Sequence, residues 1–111
     1  MALPHAQDLA GAMGAAREIA DPELRSRALH EIARMQAWAG DIHGARATAR
    51  EITRPKQRFR ALVSIAAAQA EAGDVGGAKG TARDIADPEP RLEAAEAVLI
   101  ARARATAGAA L

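Results

Sequence analysis

Arg54–Ala86 reads RPKQRFRALVSIAAAQAEAGDVGGAKGTARDIA, and much of it recurs 33 residues earlier and again 33 residues later. Asp8, Asp41 and Asp74 mark the three copies, as do Gly11, Gly44 and Gly77, and Ile19, Ile52 and Ile85. The series continues through Pro22, Pro55 and Pro88, Arg25, Arg58 and Arg91, and Ala28, Ala61 and Ala94. The copies span about 8–40, 41–73 and 74–106, with 107–111 as a tail. A fixed period of this length marks stacked supersecondary units, each unable to bury its apolar face alone.

Composition says what kind of unit this is. Half of the 111 residues are hydrophobic, but alanine dominates them; Trp38 and Phe59 are the only aromatics. Strands want β-branched and aromatic side chains, whereas alanine favours helices that approach closely. The expected class is all-α. Within each copy, Asp-Pro or Arg-Pro opens a helix, because proline at the first helical position loses no needed N–H. Gly40 and Gly73 then close a helix, and Asp41 and Asp74 cap the next. Six helices are expected: Leu9–Ala20 behind an Asp8 cap, Pro22–Ala39, Ile42–Thr53, one from Pro55 to Ala72, one behind the Asp74 cap to Ala86, and Pro88–Ala105, with Thr106–Leu111 fraying. Linkers this short join antiparallel neighbours. The expectation is one domain over residues 1–111, a short right-handed α-solenoid of antiparallel helical hairpins.

Ile32-Ala33, Gly40-Asp41 and Ala45, repeated as Ile65-Ala66, Gly73-Asp74 and Ala78, resemble the tetratricopeptide repeat. That family places a large and a small residue in its first helix, a Gly-Asp turn, and a small residue where the helices cross. Leu29, Leu62 and Ala95 stand where it usually has Trp, and Gln36 and Gln69 where it usually has Tyr. The resemblance implies a concave groove lined by the first helix of each hairpin. Carried across, the groove positions are Arg27, His30, Arg34 and Trp38, then Arg60, Val63, Ala67 and Glu71, then Glu93, Glu96 and Ile100. An arginine cluster beside an indole suits an extended acidic peptide or a carboxylate terminus.

The remaining motifs weigh against chemistry. Net charge is +1, which disfavours nucleic-acid binding through bulk electrostatics. There is no cysteine, hence neither disulfides nor a thiolate metal site, and no cofactor is expected. The N-terminus lacks a basic start and carries Asp8, unlike a secretory signal, and no apolar run is long enough for a membrane span. These features point to a soluble cytoplasmic protein. His5, His30 and His43 lie on separate elements without ligand spacing. Glu93 and Glu96 share a helix face without a cleft, Ser26 and Ser64 have no evident base, and Gly76-Gly77 with Gly80 lacks the phosphate-loop lysine. Those glycines are read as allowing close helix crossing. The repeated arginines, Arg25, Arg58 and Arg91 with Arg17, Arg50 and Arg83, form either a basic ribbon or a structural ladder; repetition favours the ladder.

The leading expectation is a non-catalytic module binding a protein or peptide partner. The alternative is self-assembly, as a dimer or a head-to-tail array, through unmated end helices that carry Leu9 at one end and Val98, Leu99 and Ile100 at the other. A further alternative is an accessory or regulatory subunit of a larger complex.

Overall fold

A computed structural model describes residues 6–110, and side chains from 8 to 108. Six α-helices follow one another: α1 Ala6–Arg17, α2 Pro22–Trp38, α3 Ile42–Arg50, α4 Pro55–Glu71, α5 Val75–Arg83 and α6 Pro88–Ala110. No strand occurs among the described residues. The long helices pack in sequence, α2 on α4 and α4 on α6. The short ones rest on them: α1 on α2, α3 on α2 and α4, α5 on α4 and α6. The short helices meet only through side chains among the described residues, Met13 with Thr48 between α1 and α3 and Arg46 with Thr81 between α3 and α5. The molecule is a slab of 50 × 33 × 19 Å.

Punctuation residues set the helix ends. Asp21 Oδ1 accepts from the Glu23 and Leu24 N–H groups at 2.8 and 3.1 Å. Asp41 and Asp74 cap α3 and α5 through the Gly44 and Gly77 N–H groups, each at 2.9 Å. Gly40 and Gly73 adopt φ of 95° and 91°, where a Cβ is disfavoured. The following Asp41 and Asp74 N–H groups then reach back to the Gln36 and Gln69 carbonyls at 2.9 Å, closing the ends of α2 and α4.

The expected ends shift in three places. Asp8 lies within the first turn of α1 rather than before it, because α1 begins at Ala6. The short helices stop about three residues early, at Arg17, Arg50 and Arg83, where tighter i→i−3 bonds such as Ile52 N–H to Ala49 O take over. The tail beyond Ala105 is helical to Ala110: Thr106-Ala107 stands in place of Gly-Asp, so nothing stops an alanine-rich run.

The core is thin. Leu29, Ile52, Ile65 and Ile85 are its largest fully buried apolar side chains. Burying each contributes roughly 1.5–3 kcal/mol. Ala33, Ala45, Ala61, Ala66, Ala78 and Ala94 have no exposed surface and set how closely helices approach. Leu9 and Val98, expected on an oligomer surface, belong to this core at 8% and 4% exposure. Leu9 packs in the cluster with Met13 and Leu29, and Val98 with Ala70 and Ala78. Leu99 and Ile100 remain outside, at 64% and 52%. Gly76 and Gly80 face open space rather than a crossing helix; Gly77 is crowded by Asp74 and Gln69, as Gly44 is by Asp41.

Candidate interaction groove

Two of the repeated arginines hold the structure together. Arg25 Nη1 donates to the Ile19 carbonyl at 2.9 Å, and Arg58 Nη1 to the Ile52 carbonyl at 3.2 Å. Each thereby ties the start of a long helix to the chain six residues before it, satisfying a carbonyl just beyond a short helix. Arg58 also lies over the Phe59 ring, 5.6 Å from its centroid. Arg17 makes a two-point contact with Glu51, Nε to Oε1 at 3.0 Å and Nη2 to Oε2 at 2.9 Å. These bonds hold the Glu51 carboxyl below its ordinary range.

The groove positions separate into those that converge and those that do not. Arg27 and His30 from α2 and Arg60 from α4 line one cleft of about 490 Å³ with Leu24, Ala28, Glu31 and Gln57. Neither Arg27 nor Arg60 makes an ion pair among the described residues, whereas Arg17, Arg34, Arg46, Arg54 and Arg104 all do. Burial holds the His30 imidazole below its ordinary value; Glu31 opposes this, while Arg60 and Arg34 reinforce it.

The other positions sit apart. Arg34 is bound to Glu31, with Nη2 at 2.8 Å, and that bond lowers the Glu31 carboxyl. Trp38 is 44% exposed near the end of α2. Eleven residues of helix put it about 16 Å along the axis from Arg27. Val63 is half-buried and supports the cluster of Ala66, Ala82, Ile85 and Ala94. Arg60 also borders a second cleft of about 270 Å³ between α4 and α6, where Asp87, Glu89 and Glu93 supply negative charge. The surface therefore changes sign across Arg60. Leu24, Glu31 and Gln57 were not anticipated in the groove. Leu24 is 51% exposed there.

Polar bonds between long and short helices also recur at the period. The Thr48 hydroxyl donates to Gln36 Oε1 at 2.6 Å, and the Thr81 hydroxyl to Gln69 Oε1 at 2.6 Å. The glutamines thus use their length to bond across the helix pair. No helix among the described residues is long and apolar enough to cross a membrane. Comparison with models of protein families, with curated proteins and with solved structures finds no match for this chain.

Proposed function

We propose that the chain is a short right-handed α-solenoid of antiparallel helical hairpins, resembling the tetratricopeptide repeat, that binds an acidic peptide segment of a partner protein and catalyses no reaction. The observation that carries the reading is the convergence of two arginines, Arg27 and Arg60, on His30 in one cleft between two helices, neither arginine making an ion pair among the described residues. Guanidinium groups recognise carboxylates through paired, charge-assisted bonds, and Leu24 and Ala28 offer apolar contact beside them. The displaced carboxyls do not favour acid catalysis. Glu31 and Glu51 are both lowered by arginines, the opposite of what a general acid requires.

The test is fluorescence anisotropy with a labelled peptide rich in Asp and Glu. Binding should weaken with salt, and Arg27→Ala combined with Arg60→Ala should reduce affinity at least about tenfold, as for loss of a charge-assisted contact. Equal binding by parent and double variant would overturn the reading.

A second reading, self-assembly, draws on the exposed Leu92, Leu99 and Ile100 of α6. Light scattering across concentration tests it: Leu99→Asp should abolish any dimer or longer array, and a parent that stays monomeric at high concentration excludes it. Service as an accessory subunit of a larger complex would use either surface.

A further inference from the structure

We infer that the cleft between α1 and α3 is a second binding site, one that takes a guanidinium carried on an alkyl stem. The cleft measures about 670 Å³, and Leu9, Met13, Arg17, Gln36, Thr48 and Glu51 are among its walls. It is separate from the groove between α2 and α4.

The chain itself displays the bound arrangement one step along. In the cleft between α3 and α5, Arg46 crosses the gap: Nη1 donates to Thr81 Oγ1 at 3.0 Å and Nη2 to Asp84 Oδ2 at 2.9 Å. Subtracting 33 from each number gives Met13, Thr48 and Glu51. The acceptors are thus retained between α1 and α3, and the arginine is replaced by methionine.

The polar atoms left in the α1–α3 cleft select a donor. Thr48 commits its single hydroxyl hydrogen to Gln36 Oε1 at 2.6 Å, as Thr81 does to Gln69, so its oxygen is left to accept. The Met13 sulfur stands 3.6 Å from that oxygen, so the methionine covers the ground of an arginine stem without supplying its head. Glu51 is held by Arg17, whose side chain is 57% exposed. An exposed pair of this kind contributes little and yields to a competitor. A carboxylate also has lone pairs for more than two donors. The charged groups on the cleft wall are Arg17, Asp41 and Glu51, a net negative set.

Amide NMR of the full labelled chain, titrated with butylguanidinium, reads the site. Saturable shifts are expected at Gln36, Thr48 and Glu51, with butylammonium about tenfold weaker because it lacks the two-point fork. Met13→Arg should abolish binding by supplying an internal guanidinium, as Arg46 does. Arg17→Ala should tighten it several-fold by freeing Glu51, and Glu51→Gln should weaken it about tenfold. The inference is overturned if those amides show no saturable shift, if Met13→Arg binds like the parent, or if Arg17→Ala binds more weakly. Should Met13→Arg fail to fold by circular dichroism, Glu51→Gln decides alone. A capped Gly-Arg-Gly peptide distinguishes the source. Tighter binding than butylguanidinium assigns an arginine of a partner protein, and equal or weaker binding assigns a free small guanidine.

Discussion

Thr81 gives its hydroxyl hydrogen to Gln69 Oε1 at 2.6 Å, deep between α4 and α5, where the two side chains are 0% and 3% exposed. Thr81→Val keeps the shape and removes the donor. The buried amide oxygen of Gln69 then lacks a partner, and Arg46 loses an acceptor. The expected cost is roughly 1–3 kcal/mol in a urea melt. Adding Gln69→Leu should recover part of the loss, because neither side then holds an unpaired polar atom. A double variant weaker than the single one by the full Gln69→Leu increment would show that the bond is not what couples them.

Adjacent glycines in α5 should respond with opposite sign. Gly76 has no neighbour near an added Cβ, so Gly76→Ala should raise stability by about 1 kcal/mol through helix propensity. A Cβ at Gly77 would run into the capping carboxylate of Asp74 and the Gln69 amide. Gly77→Ala should therefore cost about 1 kcal/mol or more, through loss of the cap. Thermal melts of the two variants distinguish these outcomes.

Ala61→Asp should leave the chain unfolded at 37 °C. Ala61 has no exposed surface, and an unpaired buried carboxylate costs several kcal/mol against a total stability of about 5–15 kcal/mol. Ala28 occupies the same repeat position but is only half-buried, because no further long helix packs beyond α2. Ala28→Asp should melt only a few degrees below the parent.

The His30 imidazole implies a pH window. Its value in the folded state lies below the ordinary 6.5, chiefly through burial. Between those two values the unfolded chain binds more protons, so stability is full above about pH 6.5 and declines as pH falls toward the folded value. Comparing melting temperatures at pH 7.5 and 5.5, the drop should be smaller for His30→Gln than for the parent. An equal drop in both would place the sensitivity elsewhere. Binding of an acidic peptide in the cleft should strengthen over the same interval, because the partner favours the charged ring.

The 33-residue period was enough to place six helices and their turns, since Pro, Gly and Asp act through local backbone geometry. Helix ends were less legible. The last turn of α3 is decided by tighter bonding after Arg50, which no residue type announces. The groove was half legible: Arg27, His30 and Arg60 meet, but Trp38 lies too far along α2, and Val63 turns inward to support packing. Linear position cannot separate a side chain at a groove wall from one a third of a turn away. The α1–α3 cleft did leave a trace, since Met13, Arg46 and Lys79 share one repeat position and differ in charge. Its meaning depended on seeing Arg46 bridge Thr81 and Asp84.

Among the described residues the backbone of α1 lies against that of α2 alone, whereas the backbone of α4 lies against α2, α3, α5 and α6. Contacts therefore join elements no more than two apart along the chain, and loop closure is inexpensive throughout. Such a chain can zip up from its middle and fray from its ends, with neighbouring interfaces supplying the cooperativity. Amide hydrogen exchange should be slowest in α4 and fastest in α1, and a chain losing α1 should keep most of its protection where one losing α4 would keep none.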